Sequence, residues 1–139
     1  MSEQNKTAVR NFIEEVWNRG NLALLDEVYA PDYVYYGPGG QEIKGPEGFK
    51  QAVETYRAAF PDLHCTVEDQ LAEGDKVATR WILRGTHKGE LMGAPPTGNK
   101  VVMSGTVIHR FEGDRMAEAR DMWDSLSFMQ QLGVVPSQT

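Results

Sequence analysis

The sequence predicts an α+β protein whose helices pack on one face of a strongly curved antiparallel sheet. Apolar residues recur at helical spacing through Phe60, and from Leu63 onward the period changes to two. Helices grouped first and hairpin-linked strands afterwards segregate into separate layers rather than alternating as βαβ units. About three N-terminal helices and a short C-terminal helix over such a sheet make a cone with room for a small molecule.

The elements follow in order. Val9, Phe12, Ile13, Val16 and Trp17 fall at i, i+3, i+4, i+7 and i+8, one apolar helical stripe. Gly20 supplies the stop, since glycine takes positive φ without a Cβ penalty. Asn21 then caps a second short helix carrying Leu22, Leu25, Val28 and Tyr29, which Pro31 ends. Tyr33-Val34-Tyr35-Tyr36 favours a strand, closed by Gly37-Pro38-Gly39-Gly40. A third helix opens at Gly45-Pro46-Glu47, with proline at its first position and an acid in its first turn. Its buried face is Phe49, Ala52, Val53, Tyr56 and Phe60, and Pro61 marks its end.

Beyond it, Leu63, Cys65, Val67 and Leu71 alternate with polar residues along a strand. Glu73-Gly74-Asp75 turns this strand into a second, with Val77, Thr79, Trp81 and Leu83 on one face. A Gly/Pro-rich connection, Gly89 to Gly98, follows. Such a segment makes a poor strand, so it is expected to form a rim or lid, with Leu91 and Met92 as its apolar contacts. Val101 to Phe111 and Met116 to Trp123 form a last hairpin about Glu112-Gly113-Asp114. Asp124 or Ser125 caps a closing helix, Leu126 to Leu132.

Composition narrows the function classes. The 139 residues hold 14 Lys and Arg against 20 Asp and Glu, a net charge of −6. That balance argues against nucleic acid, which requires clustered cations, and against anionic membranes. The single cysteine, Cys65, requires no oxidising compartment. The opening residues carry no basic start and apolar run of a secretory signal, and no apolar stretch approaches the ~20 residues that cross a bilayer. The expectation is a cytoplasmic protein, one domain over residues 1–139. Helices cover only one sheet face, leaving Thr66, Ile82, Thr106, Ile108 and Met122 on the other. A homodimer packed through its sheets, or a homotetramer built from two, would cover that mixture.

Phosphate loops, nucleophile elbows and metalloprotease motifs do not occur. His64, His87 and His109 stand apart, without Cys or His at zinc-ligand spacing, so neither metal nor cofactor is expected. Asp121 is the informative residue. It shares a strand face with Ala117, Ala119 and Trp123, interrupting the less polar side away from either turn. A carboxylate placed there is either paired, by Arg80, Arg84 or a backbone amide, or raised in pKa and useful as a proton shuttle. Asp124 fits a helix cap, and Asp69 a solvated rim position. His109 shares the parity of Val107 and Phe111, which makes it a hydrogen-bonded core residue or a cavity-facing one. Trp17, Trp81, Trp123, Tyr33 and Tyr35 either line a flat pocket for an aromatic ligand or pack as core.

Beyond these single residues, the run Gly85-Thr86-His87-Lys88-Gly89-Glu90-Leu91-Met92-Gly93-Ala94-Pro95-Pro96-Thr97-Gly98 resembles the signature of the SnoaL-like polyketide cyclases. So do Arg120-Asp121-Met122-Trp123-Asp124 with Gln130-Gln131-Leu132-Gly133, Phe60-Pro61-Asp62-Leu63 and the Gly45-Pro46-Glu47-Gly48 helix start. The resemblance implies an NTF2-like cone, usually homo-oligomeric. It also implies ring closure in a polyketide ester by intramolecular aldol condensation, without metal or cofactor. The family's acid/base aspartate matches Asp121. The histidine that accompanies it matches His109 through Ser104-Gly105, whereas counting back from Asp121 places it at Val107. Two other readings stay open: a non-catalytic module binding a small hydrophobic ligand, and a different metal-free hydrolase or isomerase on the same cone.

Overall fold

A computed structural model describes residues 2–91 and 93–134. Helix α1 spans Ser2–Phe12 and widens into a π-helical turn, Ile13–Asn18. The expected stripe is in place, with Val9, Phe12, Ile13 and Val16 buried. The widening shows in the Arg19 N–H, which reaches back five residues to the Glu14 carbonyl at 3.1 Å. Gly20 ends the turn at φ +75°. Arg57 donates to the orphan carbonyls of Trp17 and Asn18 at 2.6 and 3.0 Å, closing the helix end with a cation.

Asn21 does not cap the next helix. Its amide turns to Glu15 Oε1 at 3.5 Å, and a 3₁₀ turn, Leu22–Leu24, leads into α2, Leu25–Val28. Nor does Pro31 end that helix, for it already lies in β1, Tyr29–Tyr36. A short strand unforeseen from the sequence, β2 at Glu42–Lys44, precedes α3, Gly45–Ala59. The remaining strands are β3 (His64–Glu73), β4 (Lys76–Thr86), β5 (Lys100–Glu112) and β6 (Arg115–Trp123). Helix α4, Ser125–Leu132, is capped by Asp124, which accepts the Ser127 N–H at 2.9 Å.

The strands form one open sheet in the order β2-β1-β6-β5-β4-β3. It is mixed rather than wholly antiparallel, because β1 runs parallel to β6. A parallel pair needs a long crossover, and here the whole chain from β2 to β5 supplies it. The β1–β6 register shifts between Tyr29 and Val34, around Pro31, which has no N–H to give the ladder.

Two further irregularities overturn the simple alternation. The β3–β4 register shifts between Val67 and Asp69, so Leu71 turns out to solvent, 77% exposed. The β5–β6 register shifts between Arg110 and Phe111, which carries Met116 to the inner face, fully buried. Asp69 lies on the outer face and pairs with Arg80 at 2.7 Å, both well exposed.

The connection after β4 is tied down rather than free. The amides of Lys88 and Gly89 both donate to the Ala59 carbonyl at the end of α3, at 2.9 and 3.0 Å. His87 is fully buried against Phe60, and Leu91 is buried at a bridge to Ala94. Met92 lies outside the described residues. The core sits between the helices and the inner sheet face. On the outer face Ile108 and Met122 are 43% and 67% exposed. Among the described residues, no helix is long and apolar enough to cross a membrane.

Candidate active site

Between the π turn, α3 and the inner sheet face lies an apolar cavity that opens to solvent. Trp17, Tyr33, Tyr35, Trp81, Val107, His109, Asp121 and Trp123 all line it. Leu91 does not; it is packed into the core at the α3 end of the fold, as the anchored connection requires.

The ladders explain how Asp121 is held. Trp81, Gly105 and Trp123 form one row across β4, β5 and β6, and Thr79, Val107 and Asp121 form the next. Gly105 has no side chain, so the Trp81 indole lies across β5; a Cβ on Gly105 would stand 2.7 Å from its ring. The indole Nε1–H donates to Asp121 Oδ1 at 3.1 Å. From β1, the Tyr35 hydroxyl donates to Oδ2 at 2.8 Å. Both donors are neutral. Arg80, considered above as a partner, is engaged with Asp69 on the other face.

Burial with neutral partners sets the carboxyl's chemistry. Removal from water disfavours the charged form and raises the Asp121 pKa to about 6, against the opposing pull of the Tyr35 and Trp81 bonds and the Met122 amide. The group is therefore chiefly ionised at neutral pH yet able to carry a proton. Tyr35 is raised as well: burial and the nearby Asp121 charge push its phenol up, so it stays a donor. Burial pushes the Cys65 thiol up to about 12, which leaves it unreactive on the cavity wall.

His109 does not stand opposite Asp121. Its ladder partner is Ala119, one inward-facing pair along from Val107–Asp121. It is buried beside Phe12, its pKa lowered to about 4 by loss of water, so the imidazole is neutral. Among the described residues its Nδ1 has no hydrogen-bond partner. Among the described residues, no group of three or more His, Cys, Asp or Glu could hold a metal ion.

Two features are not evident from the sequence. Tyr35 and Trp81 present themselves there as aromatic surfaces, whereas their polar tips fix the carboxyl; each is an apolar body with one donor, which is the signal available. Phe49, read as helix core, is the packing centre of the aromatic wall, 5.4 Å from Tyr35 and 5.8 Å from Trp17 between ring centres.

An open α+β cone with one half-buried carboxyl in an aromatic cavity defines a class of small-molecule-binding folds. Within it, the SnoaL-like polyketide cyclase family matches residues 7–132. The chain belongs to that family. It is 34% identical over 132 residues to aklanonic acid methyl ester cyclase DnrD of Streptomyces peucetius, covering 90% of this chain and 88% of that one. It is 32% identical over 121 residues to nogalonic acid methyl ester cyclase of Streptomyces nogalater, covering 84% and 89%. Among solved structures, a proposed SnoaL-like polyketide cyclase from Jannaschia sp. CCS1 superposes with a TM-score of 0.88 at 25% identity, covering 97% of this chain and 95% of that one.

Proposed function

We propose that the protein is an ester cyclase that closes a ring in a polyketide-type ester by intramolecular aldol condensation, with Asp121 as the acid/base. The observation that carries this is a single titratable carboxyl, its pKa raised to about 6, set in an aromatic cavity between two neutral donors. The cyclase relatives support the reaction class.

The Asp121 carboxylate takes a proton from carbon α to the ester or ketone carbonyl. The resulting enolate carbon attacks a second carbonyl of the same molecule. A carbon–carbon bond forms, the C=O π pair becomes an alkoxide, and the proton on Asp121 passes to that oxygen. The product is an isomer of the substrate. No electrons leave or enter, so the step as written calls on no redox partner. Tyr35 and Trp81 hold the carboxylate in place before the proton moves and stabilise it after it is returned. The aromatic walls fold the chain so that the two carbons meet; such positioning can contribute several kcal/mol, on the order of 7–11 in well-oriented intramolecular reactions.

Asp121→Asn tests the reading. The amide oxygen can accept from Trp81 while the amide nitrogen donates to Tyr35, so the geometry survives without the titrating group. With aklanonic or nogalonic acid methyl ester as substrate, turnover is expected to fall roughly 10²–10⁴-fold with the fold retained. Binding of these esters with no turnover by the native chain would instead favour a binding module.

A further inference from the structure

The cavity has a second polar end that the aldol step does not use. Tyr33 on β1 and His109 on β5 both line it, and Tyr29 stacks on Tyr33 with ring centres 3.6 Å apart. All three are at most 2% exposed. Yet among the described residues the His109 Nδ1 has no hydrogen-bond partner, and the hydroxyls of Tyr29 and Tyr33 have none beyond their own stacked pair. The three side chains form one cluster, since the Phe12 ring packs on both Tyr29 and His109, at 5.7 and 5.6 Å.

Leaving a buried polar atom unpaired is costly, and His109 and Tyr33 both face the cavity with hydrogen-bonding capacity unused by the rest of the protein. The ladder sets His109 one inward-facing pair away from the carboxyl: it faces Ala119, not Asp121. Burial keeps both the phenols and the imidazole neutral, so the cluster offers hydrogen bonds without charge.

We infer that Tyr33, Tyr29 and His109 form an anchoring subsite for an uncharged ligand oxygen, a phenol or quinone-type carbonyl on the ring end remote from the reacting carbons. A hydroxyl or carbonyl oxygen suits this cluster because phenol and neutral imidazole can each donate or accept. A carboxylate does not suit it, because the cluster holds no cation to offset its burial. The subsite therefore selects ligands by the presence of an oxygen at one end, while Asp121 acts at the other. His109 in this arrangement is a binding residue rather than a proton carrier.

The inference rests on the cavity being the substrate site, but binding of non-reacting probes tests it without turnover. The probes are 1-naphthol and 1-methylnaphthalene, which differ by a hydroxyl in place of a methyl. Calorimetric titration gives the affinity ratio of the two for each variant. The ratio is expected to fall roughly tenfold in Tyr33→Phe and in His109→Phe, the worth of one hydrogen bond, and to be unchanged in Asp121→Asn. An unchanged ratio in the first two, or a fall confined to Asp121→Asn, overturns the subsite. Failure of catalysis with this pattern intact would strike only the cyclase reading.

Discussion

Val107 stands directly opposite Asp121 across the β5–β6 ladder. A histidine at that position could donate a hydrogen bond to the carboxyl; a valine has none to give, and the carboxyl is held instead by Tyr35 and Trp81. Substituting Val107→His places an imidazole against Asp121. Its cationic form favours the ionised carboxylate, so the acidic limb of the kcat/KM profile should move down by about one pH unit. An unmoved limb would show that this pairing is electrostatically silent.

Tyr35→Phe should act in the opposite direction. The Tyr35 bond favours the charged carboxylate, and removing it leaves burial less opposed. The native limb, expected near pH 6, should rise by roughly one to two units, the worth of a hydrogen bond to a charged group. Activity above the new limb should largely return, which distinguishes a titration effect from a damaged site.

Stability gives a third check. Unfolded aspartate titrates near the usual carboxylate value of about 3.9, while folded Asp121 titrates at about 6. The folded state therefore binds the proton more tightly. The stabilisation is fully present below about pH 4 and is lost as the pH rises through 6. Relative to the native chain, Asp121→Asn should gain stability between pH 4 and pH 8, by an amount on the order of 2–3 kcal/mol. Urea midpoints of the two proteins across that range measure the difference directly, with other titrating groups common to both. A difference that does not change with pH would show that Asp121 is not raised.

The legible and illegible parts of the fold divide along physical lines. Val9, Phe12, Ile13 and Val16 declared a helix face because burial repeats with the turn, and Asp124 declared a cap because its carboxylate meets free N–H groups. Leu71 and Met116 went the wrong way because a bulge costs one residue of register and leaves no mark in period-two alternation. The parallel β1–β6 pair was hidden because it joins strands from opposite ends of the chain. At the site, Asp121 stood out as a charge on an apolar face. Its partners did not, since an indole N–H reaching across a strand depends on which residue lies between, here Gly105.

The outer sheet face exposes several apolar side chains. Ile82, Val102, Ile108 and Met122 share it, and Val102, Ile108 and Met122 are 49%, 43% and 67% exposed. We expect a homodimer packed through these sheets, seen by light scattering at micromolar concentration. Met122→Glu should shift it to monomer, because an unpaired carboxylate buried at the centre of an interface is costly. A native protein already monomeric under those conditions would defeat the expectation.

Gly105 gives the last prediction. Its row partners are Trp81 and Trp123, and an added Cβ would lie 2.5 Å from the Met122 carbonyl, 2.7 Å from the Trp81 ring and 2.8 Å from Trp123 Cβ. The carbonyl belongs to the β6 backbone and cannot yield cheaply, so the Trp81 ring must move. Gly105→Ala should therefore cost roughly 1–3 kcal/mol by overpacking and also pull the indole Nε1–H away from Asp121. Losing that donor favours the neutral carboxyl, so the acidic limb of kcat/KM should rise. Trp81→Phe separates the two effects, because it removes the donor without crowding the strand. Both variants should raise the limb in the same direction, since each takes the same hydrogen bond from the same carboxyl. A destabilised Gly105→Ala protein whose limb stays with the native one would show that the glycine serves packing alone. A shift shared with Trp81→Phe would show that a missing side chain on β5 sets the proton affinity of a carboxyl on β6.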